Sequence, residues 1–232
     1  MDAEFAEDDE AFFPLRLLET CISNNLETYD ESVALTGPIP PAGNYYIGCD
    51  LGKKQDHSVV SVVEKREGHI YHIHIKQFKL GTDYTHVMGY LTRLGERLVT
   101  VRQTSIDQTG VGQMFIEEGT KSGLKNPLGT TLTIPEKENI MFYLRHIMEE
   151  GRLHFSYDSD LIGEMNAERY ELSKTGQTQF SNPSGTHDDR LWALALAVYA
   201  SRFETPTYHP VAAIGRNRNS LMPNLPRSLF RH

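Results

Sequence analysis

Four aspartates stand at points where the chain passes from one apolar run to the next. Asp50 closes such a run in YYIGCDLG, Asp107 closes another in TSIDQTG, and Asp188-Asp189 open THDDRLWALALA. In an open α/β sheet, neighbouring strands can present Asp50 and Asp107 side by side, and a helix packed across the sheet can bring Asp188 or Asp189 to meet them. Carboxylates a few ångströms apart cannot all stay ionised unless something positive sits among them. A hard divalent cation meets that need. Magnesium or manganese takes oxygen ligands, commonly one or two carboxylates with substrate phosphate and water, which suits phosphodiester chemistry. Singly, the same residues suit plainer tasks: Asp50 could bond within a turn, Asp107 could cap the following helix, and Asp188 could be an N-cap with Asp189 favouring the helix dipole. Their joint placement is the signal.

The elements that must carry these acids follow from periodicity. YYIGCD (45–50), HSVVSVVEKR (57–66) and HIYHIHIKQF (69–78) are β-branched and aromatic runs, the last two joined at Glu67-Gly68 as in a hairpin. A helix over 83–98, a strand over 101–107, a helix over 111–123 ended by Gly123, and a strand over 130–134 follow. Pro135 and Glu136 open a helix running to about Glu150, with Gly151 as its stop. RLHF, a helical or extended segment over 159–172, and a hairpin turning through LSKTGQTQF (172–180) then lead to the buried helix after Thr186-His187. The order β-β-β-α-β-α-β-α implies an α/β fold whose mixed sheet holds three antiparallel strands and then parallel ones, flanked by helices, with an extra hairpin before the last helix.

Ahead of this unit, Leu15, Leu18 and Ile22 lie at helical spacing after an acidic start, and TGPIPPAGN (36–44) is strong loop punctuation. Residues 1–43 are therefore read as an acidic arm, a short helix and a proline-rich linker, and 44–203 as the folded domain. Residues 204–232, with four prolines and Arg216, Arg218, Arg227 and Arg231 against one acid, are read as a basic, poorly ordered tail. The net charge of -8 is misleading until located: residues 1–31 hold ten acids against Arg16 alone, which leaves the rest of the 232 residues within one charge of neutral. Such a balance permits a nucleic-acid partner without requiring one. No apolar run approaches the ~20 residues that span a bilayer, and the acidic start lacks the pattern of a secretory signal. Cys21 and Cys49, without a CxxC, supply neither a disulfide framework nor a zinc ribbon, which fits a reducing cytoplasm.

FSNPSGTHDDRLWALALAVYA resembles the hairpin-then-helix signature of the nuclease domain of large terminase subunits of tailed viruses, a ribonuclease H-like and resolvase-like family. YYIGCDLGKKQDHSVVSVVE is similar to the family's opening strand, with Asp56 a few residues after Asp50, and AEFAEDDEAFFPLRLLETCI to the segment joining packaging ATPase to nuclease. The resemblance spans about 1–203. It implies a ribonuclease H-like fold and endonucleolytic cutting of double-stranded DNA by two Mg2+ or Mn2+ ions held by Asp50, Asp107, Asp188 and Asp189, Asp50 bridging. It also implies an N-terminal packaging ATPase in the full-length protein, portal and small terminase subunit as partners, and the cytoplasm of an infected host cell. No GxxxxGK[ST] loop occurs, so the motor is expected to lie outside this chain, with Met1 opening an excised piece. One departure is Trp192, where many relatives carry another acid.

Several neighbours of the acids are candidates for supporting roles. Asp56 is read as a second-tier or turn residue; Lys53, Lys54, Lys174 and Arg190 as possible phosphate contacts or solvated charges. His187 suits contact with a metal or scissile phosphate, or a backbone bond at the helix start. His72 and His74, expected on one face of their strand, suit an exposed sheet face better than a metal pair. Two other readings remain from sequence. An actin-like or Hsp70-like nucleotide-binding lobe is suggested by YYIGCDLG and DQTGVG, but such proteins need two lobes and leave His187-Asp188-Asp189 unexplained. A non-catalytic docking module would leave the acids as caps.

Overall fold

The computed structural model describes residues 11–37, 43–52, 56–109, 112–173, 176–183 and 185–202. The acidic start, Lys53, Lys54, Lys174 and the basic tail lie outside them. Strands β1 (Asn44–Asp50), β2 (Val59–Arg66) and β3 (His69–Gln77) form an antiparallel meander. Its second turn places Glu67 and Gly68 at φ 50° and 83°, the left-handed pair that matches the strand twist in a two-residue hairpin. Strand β4 (Val101–Asp107) runs parallel to β1, β5 (Pro127–Thr130) parallel to β4, and β6 (Leu153–His154) parallel to β3, giving the order β5-β4-β1-β2-β3-β6. Strands β7 (Arg169–Leu172) and β8 (Thr178–Ser181) form the separate hairpin.

Helices cover both faces of the sheet, which is why β2 reads as a continuous valine-rich run: Val59, Val60, Val62 and Val63 are all fully buried. On one face lie α1 (Leu15–Cys21), α5 (Ile134–Glu149), α6 (Ser159–Ala167) and α7 (Asp189–Ala200), around a core that includes Leu144, Phe155 and Leu196. On the other lie α2 (Glu31–Thr36), α3 (Tyr84–Arg97) and α4 (Gly112–Lys121), around Ile47, Leu91 and Ile106. Cys21 and Cys49 belong to opposite cores and are both free thiols. Among the described residues, no helix is long and apolar enough to cross a membrane.

The joint between α7 and β1 is tight. A Cβ placed on Gly48 would lie 2.0 Å from the Ala193 carbonyl oxygen and 2.5 Å from the Ala197 nitrogen. Only glycine lets the helix backbone seat there, and the alanines one turn apart give it a flat face. That contact sets the height of the α7 N-terminus against the end of β1.

Four expectations are revised. The described part of the stretch read as arm and linker is woven into the core: Phe12 and Phe13 are fully buried, Phe12 N–H donates to the Glu168 carbonyl (2.8 Å), and Tyr29 N–H to that of Ile73 (2.7 Å). Helix α2, unforeseen, starts at Asp30, whose carboxylate accepts from Val33 N–H at 2.8 Å. The strand expected over 130–134 lies at Pro127–Thr130, because Thr130 already pairs with Asp107 at the sheet end and Thr133 is taken as the N-cap of α5. Lastly, β3 bulges at Ile73, between the pairs Val62–His74 and Val63–His72, so the two histidines do not form a same-face pair. His74 donates from Nδ1 to the Tyr29 carbonyl (2.6 Å) and accepts at Nε2 from the Tyr90 hydroxyl (2.5 Å), while His72 is buried in the field of Asp158 and Arg190.

Candidate metal centre

Strand register brings the first two acids together. Cys49 pairs with Ile106 in the parallel β1–β4 ladder, so Asp50 and Asp107 leave the same end of adjacent strands. Asp107 is steadied by its own turn, its Oδ1 accepting from Thr109 N–H at 2.8 Å. Helix α7, seated on Gly48, delivers Asp188 at its N-cap and Asp189 in its first turn. Asp188 does not cap the helix with its side chain; its Oδ2 instead accepts from the Trp192 indole N–H at 2.9 Å. Asp189, 5% exposed, accepts at Oδ2 from the His57 backbone N–H at 3.2 Å.

Gly52 packs tightly against the segment that makes that last bond: a Cβ on it would meet the Asp56 and His57 carbonyl oxygens at 2.3 and 2.4 Å. The imidazole of His57 is fixed by donating from Nδ1 to the Phe78 carbonyl (2.7 Å), with the His187 ring edge-on at 5.8 Å. His187 is exposed, its Nδ1 3.8 Å from Asp189 Oδ2. Asp56 is exposed, near enough to raise the Asp189 carboxyl.

The electrostatics are those of a cluster short of positive charge. Burial lifts the Asp50 carboxyl well above the usual carboxylate range, and Asp107, Asp189 and Asp188 add to it in that order, while Lys137 works the other way. Asp189 is raised by burial, partly offset by the His57 N–H, with Asp188 and Asp56 raising it further and His187 lowering it. Among the described residues no group of three or more His, Cys, Asp or Glu side chains is placed to hold a metal ion. The acids stand at neighbouring element ends, near enough for Asp107, Asp189 and Asp188 to raise Asp50, and their donor atoms are all carboxylate oxygens. That donor set fits a hard divalent cation and gives a soft metal no thiolate.

Residues missed by the sequence reading complete the surroundings. Lys137, on α5, lies 4.9 Å from the centre of the Trp192 ring and lowers both Asp50 and Glu168. Glu168 is buried and pushed up to about 8, first by burial and then by Asp188, with Lys137 and Arg169 opposing. His57 belongs to the QDHSVV run and had no signal beyond its closeness to Asp56. Arg190 points away from the acids into a separate group: its guanidinium donates to Gln77 (2.8 Å), Asp158 (3.2 Å) and Asp160 (3.1 Å).

A family model for the terminase RNaseH-like domain matches residues 47–200, from the start of the β1 core to the end of α7. This chain belongs to that family. The large terminase subunits of Thermus virus P23-45 and Thermus phage G20c are each 28% identical to it over 153 residues, 66% of this chain and 31% of the relative. The match thus spans about a third of the length of those relatives. The crystal structure of the large terminase nuclease from thermophilic phage G20c resembles the chain with a TM-score of 0.68 at 26% identity, covering 84% of this chain and 100% of that one. A magnesium-bound form of the same nuclease gives 0.68 at 25% identity, and a cobalt-bound form 0.66 at 25%, each over 82% of this chain and 97% of the other. The fold is the ribonuclease H-like fold of terminase nuclease domains, with the β7–β8 hairpin preceding the last helix.

Proposed function

We propose that this chain is the nuclease domain of a large terminase subunit and hydrolyses phosphodiester bonds of double-stranded DNA with two Mg2+ or Mn2+ ions. The observation that carries the reading is the placing of Asp50, Asp107, Asp188 and Asp189 at element ends on one side of the sheet, where the other three raise the Asp50 carboxyl and, among the described residues, Lys137 opposes them. Metal binding by the similar G20c nuclease supports it. The four aspartates would hold the ions. Divalent cations in such a site supply Lewis-acid activation of water and neutralisation of the leaving oxygen. The chain's own part is orientation: Trp192 aims Asp188, the His57 N–H aims Asp189, and Lys137 offers positive charge to a scissile phosphate.

The resemblance extends the proposal to an N-terminal packaging ATPase in the full-length protein, to portal and small terminase partners, and to action in the host cytoplasm. No helix-turn-helix or zinc-finger pattern occurs, so DNA affinity rests on phosphate contacts and is expected to be sequence-tolerant and salt-sensitive. The test is a plasmid incubated with the chain and Mg2+ or Mn2+. Nicking and linearisation that EDTA stops, and that Asp50→Asn abolishes, are expected; undiminished cutting in EDTA or by the Asp50 variant would overturn the mechanism.

A further inference from the structure

An α-helix begins with backbone N–H groups that have no partner inside it, and an aspartate at the N-cap ordinarily accepts one of them. The start of α7 breaks that habit. Asp188 occupies the N-cap without a capping bond and gives its Oδ2 to Trp192; Asp189 gives its Oδ2 to the His57 N–H. The open donors are met from another element. Glu164, on α6, accepts at one oxygen from both Arg190 N–H (2.8 Å) and Leu191 N–H (3.1 Å).

We propose that Glu164 is a positioning residue which caps α7 from outside and thereby leaves Asp188 and Asp189 available to the metal centre. The inference rests on the reading of those two aspartates as ligands. A carboxylate that caps a helix spends its lone pairs on backbone amides and lies back over the first turn, where it is withdrawn from any cation in front of the helix. Transferring that duty to Glu164 removes the competition. Glu164 is itself held in place: its side chain is 13% exposed, and Arg190 stands 3.9 Å from its other oxygen. Arg190 is gripped in turn by Gln77 of β3 and by Asp158 and Asp160 of the α6 start. Asp158 is also the N-cap of α6, accepting from Asp160 and Leu161 N–H at 3.0 and 3.1 Å. Both helix starts are therefore tied to one another and to the sheet, with Glu164 the member that reaches the α7 backbone.

The full chain, Glu164→Ala, Glu164→Gln and Asp50→Ala separate the possibilities. Three quantities are measured: Mn2+ uptake from the loss of the free-ion paramagnetic resonance signal, amide hydrogen exchange at Arg190 and Leu191, and Tm. Glu164→Ala is expected to expose both amides to exchange and to weaken Mn2+ uptake ~10–100-fold, the usual cost of losing a group that orients a ligand. Glu164→Gln keeps an oxygen acceptor and should restore both. Where the alanine variant does not fold, Glu164→Asp, which withdraws the oxygens by one methylene, carries the same expectation. Parent-like Mn2+ uptake by a folded Ala or Asp variant would overturn the proposal, as would a Gln variant as impaired as Ala. Failure of the parent to take up Mn2+ in an Asp50-dependent way would instead sink the metal-centre reading. In that case exchange at the two amides still reports whether Glu164 is the cap.

Discussion

Two groups of carboxylates flank the start of α7 and are treated in opposite ways. Asp158, Asp160 and Glu164 surround the Arg190 guanidinium, which lies within 3.2 Å of the first two and 3.9 Å of the third. Asp50, Asp107, Asp188 and Asp189 stand at neighbouring element ends with no guanidinium among them in the described residues, only His187 3.8 Å from Asp189 and the influence of Lys137 on Asp50, whose carboxyl is raised. The first group is finished by the protein itself and acts as a strut. The second is left with excess negative charge, which is why the proposed function assigns it a cation from outside. On the proposed function, the same side-chain chemistry is structural where the fold supplies a positive charge and functional where it does not.

The strongest way to break this comparison is Asp50→Asn. Cleavage should fall by about three orders of magnitude, the upper scale for a group acting on charge that develops in the reaction. Metal-free stability should move the other way. A carboxyl raised in the folded state contributes stability below its unfolded pKa and loses it as pH rises, so at pH 7–8 the neutral amide is expected to melt higher than the parent. A variant that lost both activity and stability would show that Asp50 is structural.

Arg190→Met tests the other group and should give the opposite pattern. Removing the cation leaves three crowded carboxylates, and a loss of about 3 kcal/mol is expected from chemical denaturation, the low end for a broken buried pair because the cluster stays partly solvated. Metal addition distinguishes the groups by mass action. At 100 times its dissociation constant, Mg2+ or Mn2+ should stabilise the parent by about 2.7 kcal/mol, with the gain absent in Asp50→Asn and present in Arg190→Met. Equal stabilisation of all three would place the metal elsewhere.

The smallest effect sharpens the boundary of the cluster. Glu168 has its carboxyl raised from 4.5 to about 8, so its contribution to stability is lost as pH rises through that window, and Glu168→Gln should match the parent below pH 4.5 yet melt a few degrees higher near pH 8 in chelator. His72 gives the contrary slope: buried neutral, with its pKa lowered from 6.5 to about 4, it costs stability as pH falls between those values. Melting curves of parent and variant across pH 4–9 separate the two.

Much of this was legible from residue order because apolar runs that end in a charged residue mark where a strand leaves the core. YYIGCD and VRQTSID announced both their strands and the acids at their ends, and Glu67-Gly68 announced its turn, since those signals are local. The resemblance carried by FSNPSGTHDDRLWALALAVYA implied the fold from residue order alone. Partners far apart in sequence had no such marker. Trp192, read as a departure from the family pattern, turned out to orient Asp188, and Lys137 gave no periodic or motif signal on an otherwise ordinary helix. Phe12 and Phe13 follow an acidic stretch that reads as solvated, yet they fill a gap between α5 and the hairpin that exists only once both are folded.

By itself, the sequence determined the order of the main strands and helices from β1 to α5, the hairpin before the last helix, and the acids at the element ends. The tertiary structure alone decided which charges are neutralised. Periodicity places a side chain on a face or at an end, whereas neutralisation depends on distances of a few ångströms between elements distant in the chain. Arg190 adjoins Asp189 in sequence but turns away to Asp158 and Asp160, because successive helical residues point about 100° apart.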